Sequence, residues 1–326
     1  MHLSEDMTMY AGRRWNENAV LRLLETCGFK NGSVYVYRKA WQGKYNILYR
    51  LKIVNSNERI VLRIPKEKSV SNRIIDSEVL RKRVARELGD LIPKYQYYKE
   101  GSVIAPNGFM LYPEMQGIRL SAVSLKSNHT ALYNEIMKAL AKIHEIKINY
   151  ESPNLFLHYS KILHDRVVDY RHRYNRFAKI IGRLPTGTSK LLSDYWKLLI
   201  DQVSEPSKDF SILHGDMYFN NILVTKAGGL AGIIDWDNLS IGDPAIDLCW
   251  LFNVCDAANA KSFLKPYFEY RGIHSREETE GFIERVSFYA ALGRFYEMEY
   301  GIQVHDKQYF DAALDRLQDY LRSTIR

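Results

Sequence analysis

A polar loop followed by two short apolar runs constrains this chain more than any other feature of its sequence. The loop at 213–221 carries Asp216 and Asn221. An apolar run follows at once, then a glycine-containing turn, and a second apolar run leads into Asp235. Two such runs joined by a turn predict a β-hairpin. Asp235 would then end the strand that pairs back beside the loop, so we expect Asp216, Asn221 and Asp235 to lie in one small volume.

Two carboxylates and an amide in one volume fit the requirements of phosphoryl transfer. Asp216 would orient an acceptor hydroxyl and take its proton, whereas Asn221 and Asp235 would hold Mg²⁺ on the phosphates of a nucleotide. Each of these residues taken alone could equally make a turn or cap a helix. Acidic and amide oxygens crowded together without a cation would cost free energy, however. The set therefore predicts a catalytic site.

A longer motif extends this pattern along the chain. Its parts, in order, are His214-Gly215-Asp216, Asn221, Ile234-Asp235-Trp236, Gly242-Asp243-Pro244 and Asp247-Leu248. In this order they resemble the aminoglycoside and macrolide (antibiotic) phosphotransferase family of the protein-kinase-like superfamily, which has choline-kinase-like relatives. The resemblance is dense over 214–248 and looser over the rest of the chain. It implies an α+β, protein-kinase-like two-lobed fold, with an antiparallel sheet and helices in the N-lobe and a mostly helical C-lobe.

The resemblance also implies a division of the chain. Residues 1–112 would form the nucleotide-binding lobe, 113–117 the hinge, and 118–326 the lobe with the catalytic loop and the acceptor pocket. Strand-like runs lie at 34–37, 46–53, 59–64, 95–98 and 108–112. Helical patterns cover 16–27, 74–88, 130–147 and 260–323. These elements occur in the order that such a division requires.

The resemblance implies three contacts to the nucleotide phosphates. Arg63 stands on the third strand, where many relatives have lysine, and an arginine can still contact phosphate with two donors; an outward-facing strand arginine is the alternative. Glu78, or its competitor Glu87, would orient this cation from a helix. Gly43 lies where the family has its nucleotide flap, although a plain hairpin turn is equally compatible.

Other residues would support the site. In the hinge, Glu114 and Met115 would recognise a purine through backbone groups, which leaves ATP and GTP both possible; a simple turn is the alternative. His214 would anchor the catalytic loop. By resemblance, Asp247 would brace that loop by accepting backbone hydrogen bonds. Neither of the last two is expected to act on the substrate.

Composition excludes several other functions. The formal net charge is +8, but the excess lies in residues 1–110, which carry 20 Lys and Arg against 11 Asp and Glu. No nucleic-acid-binding motif accompanies it, so we expect no nucleic-acid partner. No apolar run has the length of a membrane span. Cys27, Cys249 and Cys255 have no metal-ligand spacing and predict reduced thiols of a cytoplasmic protein.

Together these features predict a small-molecule kinase that binds a nucleoside triphosphate and a hydroxylated acceptor. It would transfer the γ-phosphoryl group of ATP or GTP to a macrolide or an aminoglycoside/aminocyclitol antibiotic and so confer resistance. By resemblance, the aromatic and arginine-rich stretch at 150–210 would help to form the acceptor pocket. A housekeeping kinase for choline, homoserine or an amino alcohol is the alternative. A nucleotide-binding pseudokinase is a further one, favoured only by Arg63.

Overall fold

The protein is described by a computed structural model in which two compact units are distinguished. The first comprises residues 1–118, 223–226 and 231–237, and the second comprises 119–222, 227–230 and 238–326. The structure describes residues 9–10, 13–14, 17–38, 45–98, 105–120, 130–147, 186–187, 189–190, 193–194, 197, 210–254 and 257–324. The segment that contains Asp235 therefore belongs to the first unit, although it follows the catalytic loop in the chain.

A five-stranded antiparallel sheet forms the centre of the first unit. Two short strands, β1 (Met9–Tyr10) and β2 (Arg13–Arg14), pair with each other separately. The strands of the main sheet are β3 (Val34–Arg38), β4 (Asn46–Ile53), β5 (Arg59–Pro65), β6 (Gln96–Tyr98) and β7 (Phe109–Pro113). Their order is β3-β4-β5-β7-β6. These strands confirm the strand-like runs predicted from the sequence.

Residues alternate between the two faces of this sheet. On one face, Leu62 and Ile64 pack with Val20 and Leu23 of helix α1 (Glu17–Thr26) in one apolar cluster. On the other face, Met110 packs with residues of helix α2 (Lys68–Asp76). Arg63 is the register partner of Met110 across β5 and β7. Because successive side chains point to opposite faces, Arg63 lies on the α2 face.

The helix predicted at 74–88 is two helices. Helix α2 ends at Asp76, and α3 (Glu78–Leu88) begins after Ser77. The Ser77 hydroxyl donates to the carbonyl of Ile74 at 3.2 Å and accepts from Arg81 at 2.9 Å. A serine side chain that bonds to the local backbone competes with the regular helical pattern. The sequence pattern did not show this break because it contains neither glycine nor proline.

Five short strands lie in and around the predicted hairpin. They are β8 (Ile118–Arg119), β9 (Ser211–Leu213), β10 (Ile222–Val224), β11 (Leu230–Ile233) and β12 (Ser240–Gly242). One sheet has the order β11-β10-β8, and β9 pairs antiparallel with β12. The neighbouring β10 and β11 confirm the hairpin. The second strand ends one residue earlier than predicted, so Ile234 and Asp235 follow it.

The second unit is mostly helical. Its helices are α4 (Thr130–Glu145), α5 (Leu251–Val254), α6 (Ala257–Arg271), α7 (Arg276–Gln303) and α8 (Lys307–Thr324). The rings of Tyr133 on α4 and Phe263 on α6 stack with their centroids 3.6 Å apart. The α+β prediction, with an antiparallel N-terminal sheet and a mostly helical remainder, is confirmed. Within the described ranges, no helix is long and apolar enough to cross a membrane.

Candidate active site

A buried carboxylate holds the loop that follows β9. Asp247 lies in a short 3-10 helix, Pro244–Leu248, whose N-cap Asp243 accepts the backbone N–H of Ala245 at 3.0 Å. The Asp247 carboxylate accepts the backbone N–H groups of His214 at 2.6 Å and Gly215 at 2.9 Å. These are the backbone hydrogen bonds that the resemblance implied. They position the peptide immediately before Asp216.

Two further buried polar groups stand behind Asp247. They are His144 and Tyr267, and the His144 ring lies between Asp247 and Tyr267, with Nε2 at 3.3 Å from the carboxylate and Nδ1 at 2.7 Å from the hydroxyl. Burial alone would raise the pKa of Asp247. The hydrogen bond and charge of His144 and the N–H of Gly215 outweigh burial and hold that pKa below its usual value. Asp247 is therefore a carboxylate at neutral pH. No sequence pattern indicated that Tyr267 takes part.

The loop brings Asp216 and Asn221 together in the second unit. The Asn221 side-chain amide donates to the backbone carbonyl of Asp216 at 2.8 Å and lies 3.5 Å from its carboxylate. The backbone N–H of Asp216 donates to the buried His214 ring at 3.3 Å. Gly215 has φ +78°, which glycine adopts at little cost. Asp216 is exposed, as a group that meets a substrate must be.

In the first unit, Asp235 forms an ion pair with Arg63, the strand cation predicted to contact the nucleotide phosphates. The Arg63 guanidinium donates through Nη2 to Asp235 at 2.9 Å and, with a shorter contact, to Asp237. Asp235 has φ +68°, a left-handed conformation that is uncommon outside glycine and is often found at functional sites. Arg63 and Asp235 are therefore neighbours, although they lie 172 residues apart in sequence.

Arg63 does not face outward, so that alternative is wrong. Its side chain is 8% exposed. Burial by itself would lower the pKa of Arg63, but the charges of Asp237 and Asp235 raise it above its ordinary value. Tyr112 is hydrogen-bonded to Arg63, and burial raises the pKa of Tyr112 to about 12. Arg63 is thus a permanent cation among two carboxylates and a neutral phenol.

Glu78 does not make the predicted contact with Arg63 in the structure. It pairs with Lys82 one turn along α3, at 2.9 Å. The residue of α3 that is buried near the cation is Arg81, which donates to Ser77 and lies over the Tyr95 ring at 5.1 Å. Burial lowers the pKa of Arg81. Residues 78 and 82 share a face of the helix, and Lys82 is an exposed partner at the favoured spacing. The prediction that a helix carboxylate holds Arg63 is therefore corrected: the carboxylates that contact it are Asp235 and Asp237.

The sequence reasoning missed Asp237. Its carboxylate accepts from Arg63 and also from the Asn46 side-chain amide at 3.0 Å. It is two residues beyond the predicted metal ligand Asp235, which is the one sequence feature that could have drawn attention to it. Nothing in the sequence shows that it reaches Arg63, since β5 is 174 residues away.

The predicted hinge residues have defined partners in the first unit. Glu114 forms an ion pair with Arg50 at 3.0 Å, and its backbone N–H donates to the carbonyl of Arg59 at 2.8 Å. Met115 lies against the backbone of Gly232, where an added Cβ would be 2.1 Å from the Met115 methyl carbon. Gly232 therefore makes room for Met115. Gly43, predicted to contact phosphates, lies outside the described residues.

The predicted magnesium ligands suit that ion chemically. A carboxylate and an amide oxygen are ligands that Mg²⁺ accepts, and this ion commonly takes its remaining ligands from phosphates and water. The Asn221 amide nitrogen is used within the loop, which leaves its oxygen as the acceptor. Among the described residues, no group of three or more His, Cys, Asp or Glu could hold a metal. Asp235 belongs to the first unit and Asn221 to the second, so their convergence stays a prediction.

Several solved structures with similar folds are phosphotransferases or kinases of small molecules. A GDP and kanamycin complex of APH(2″)-IIia has a TM-score of 0.68 at 16% identity, covering 94% of this chain and 99% of that chain. A macrolide 2′-phosphotransferase type I has a TM-score of 0.63 at 15% identity, with 95% and 98% covered. An ethanolamine kinase of Plasmodium vivax has a TM-score of 0.64 at 16% identity, with 93% and 86% covered. These similarities confirm the protein-kinase-like fold.

The model of the phosphotransferase enzyme family matches residues 38–282. The chain therefore belongs to this family, and the predicted resemblance and enzyme class are confirmed at that level. An uncharacterized protein of Bacillus subtilis (strain 168) is 27% identical over 86 residues, which are 26% of this chain and 28% of that protein. This match spans about a quarter of each chain and adds nothing on the substrate.

Proposed function

We propose that this protein is a small-molecule kinase that transfers the γ-phosphoryl group of ATP or GTP to a hydroxyl of an amine-bearing acceptor. The observation that carries the proposal is the loop of Asp216. An exposed carboxylate stands on a peptide held by the buried Asp247, with Asn221 bonded to the same loop. This is the arrangement that positions an acceptor in phosphoryl transfer.

The chemical role of Asp216 follows from its exposure. The acceptor oxygen forms a bond to the γ-phosphorus as the bond to the β,γ-bridging oxygen breaks, and the hydroxyl proton passes to the Asp216 carboxylate. Since such transition states are loose, positioning and charge neutralisation supply most of the rate. Asp247 contributes to positioning because it fixes the two peptide groups before Asp216.

Charge compensation at the phosphates is assigned to the first unit. Arg63 would contact the phosphates, and Mg²⁺ held by Asp235 and Asn221 would neutralise charge on the nucleotide when bound. The GDP and ADP named in the structures of related folds support a nucleotide donor. The guanidinium of Arg63 is suited to this role because it stays charged even when it is buried.

The acceptor is proposed to carry a positive charge. Of the five acidic residues in 211–255, Asp216 is the exposed one, and its carboxylate would lie beside a cationic acceptor. Kanamycin and ethanolamine, named with similar structures, are hydroxylated amines, and macrolides carry an amino sugar. We favour an aminoglycoside or macrolide antibiotic, with resistance as the consequence. A metabolite of the ethanolamine or choline type is the alternative.

A phosphorylation screen tests this function. Aminoglycosides, macrolides, ethanolamine, choline and homoserine are each incubated with ATP or GTP and Mg²⁺, and phosphorylated products are identified by mass spectrometry. We expect transfer to at least one hydroxylated amine. Asp216→Ala should abolish that transfer and leave nucleotide affinity within a few-fold, whereas Asp315→Ala, at an exposed position of α8, should behave like the wild type. Nucleotide binding without transfer to any acceptor would favour a pseudokinase instead.

A further inference from the structure

We infer that Asp237, rather than a carboxylate on helix α3, is the residue that positions Arg63 for the nucleotide phosphates. This inference rests on the proposed function, because it assumes that Arg63 contacts phosphate. It adds a positioning residue that the motif of the catalytic loop does not include. All the residues that carry it lie in the first unit.

Asp237 is held in place from two strands. Its carboxylate accepts from Arg63 on β5 and from the Asn46 amide on β4 at 3.0 Å. The Asp237 side chain is 15% exposed, whereas that of Asp235 is 42% exposed. A charge pair with little access to water is screened less than an exposed one. Asp237 is therefore the better placed of the two carboxylates to hold Arg63 permanently.

The two carboxylates then have different tasks. Asp235 is partly exposed and is the predicted metal ligand, so a cation on the nucleotide would compete with Arg63 for it. Asp237 would still hold the guanidinium when Asp235 is engaged elsewhere. The contact of Asp237 to Asn46 supports this division, since it fixes the carboxylate independently of Arg63.

Helix α3 offers Arg63 no substitute for this carboxylate. Its Glu78 is paired with Lys82 at 2.9 Å. The buried charged residue on the same helix is Arg81, a cation that would repel Arg63 rather than orient it. Among the described residues, the carboxylates within ion-pair distance of Arg63 are Asp235 and Asp237.

The Arg63 guanidinium has more N–H donors than its two carboxylate contacts use. Nη2 serves both carboxylates, while the buried Nε has no hydrogen-bond partner in the structure. A guanidinium has five N–H donors, whereas the three donors of a lysine radiate from one point. Because Asp235 and Asp237 share Nη2, the contact to Asp237 leaves other N–H groups of the guanidinium that could donate to a phosphate oxygen.

A double-mutant cycle on nucleotide binding tests the inference. Arg63→Ala, Asp237→Asn and the double variant are titrated by calorimetry with Mg²⁺-ATP and Mg²⁺-GTP. We expect Asp237→Asn to weaken binding about tenfold, and to weaken it little further once Arg63 is already removed. Asp237→Glu should restore part of the affinity because it returns the charge. Asp90→Asn, an exposed change of the same kind in the same unit, should bind like the wild type.

A second double-mutant cycle, between Glu78→Gln and Arg63→Ala, tests the competing hypothesis that helix α3 holds Arg63. If α3 held the cation, Glu78→Gln would be coupled to Arg63→Ala and Asp237→Asn would not; that result overturns the inference, as does wild-type affinity in Asp237→Asn. The same cycles are repeated on urea unfolding of the nucleotide-free protein, where we expect coupling between 63 and 237 only. Absence of nucleotide binding by the wild type would contradict the proposed function, while the unfolding cycle would still decide whether Asp237 holds Arg63.

Discussion

The Asp247 carboxylate accepts the backbone N–H of Gly215 at 2.9 Å, across 32 residues of sequence. It also accepts the N–H of His214 and contacts the His144 ring, and it is fully buried. One carboxylate thus satisfies several donors of the loop that presents Asp216. The Asp247 carboxylate accepts these N–H groups, so we expect stability and activity to depend on the same group.

Asp247→Asn should destabilise the protein by about 3 kcal/mol, because an amide leaves part of a buried donor set without an acceptor. The variant should also lose most phosphoryl transfer. The pKa of Asp247 is lowered by folding, so its contribution to stability is present above the unfolded value of about 3.9 and is lost as the pH falls through the folded value. Urea unfolding between pH 7 and pH 3 should show a smaller loss of stability on acidification in the variant than in the wild type. Parallel pH curves would contradict this role.

Gly215→Ala should be much more harmful than Gly228→Ala. Both glycines have positive φ, +78° and +89°, so both substitutions are strained by about 1–2 kcal/mol. An added Cβ at 215 would also lie 2.2 Å from the carbonyl oxygen of Asn238, whereas one at 228 meets nothing within 4 Å. We expect Gly228→Ala to fold with a modest loss of stability and Gly215→Ala to lose activity or fail to fold. Thermal unfolding and turnover of the pair decide this, and equal effects would contradict the clash.

Arg63→Ala should lower kcat/KM by roughly two orders of magnitude, about 2–3 kcal/mol, as expected for a charge-assisted contact in a shielded site. It should also reduce stability, because Asp237 loses a buried partner. Arg63→Lys should recover part of both losses, since the charge returns without the planar fork. Steady-state kinetics with one confirmed acceptor provide the measurement. Wild-type kinetics in Arg63→Ala would remove it from the phosphate site.

Asp235→Asn should weaken binding of the Mg²⁺-nucleotide more than binding of the nucleotide alone, because a carboxylate compensates a cation better than an amide does. Asparagine tolerates the left-handed backbone seen at Asp235, so the substitution changes charge with little added strain. Calorimetry with and without Mg²⁺ compares the two cases. Equal weakening in both would show that Asp235 is not a metal ligand.

Much of the local structure could be predicted from the sequence. The run at 46–53 is strand β4 with the predicted bounds, and the alternation in β5 shows that Arg63 cannot share a face with Leu62 and Ile64. Asp243 caps a 3-10 helix that begins at Pro244, as that pair of residues indicates. The motif order was sufficient to indicate the family and the fold.

Only the tertiary structure decided which groups Arg63, Asp237, Asp247 and Tyr267 contact. Periodicity and capping preferences act over a few residues, so they determine elements and the faces on which side chains lie. The partner of Arg63 depends instead on strands that approach each other from distant parts of the chain. Glu78 illustrates this difference. It pairs with Lys82, four residues along the same helix, instead of forming the expected long-range contact with Arg63. The sequence determined the chemistry available to this protein, and folding decided which charges meet, because ion pairs form between the groups that packing brings together.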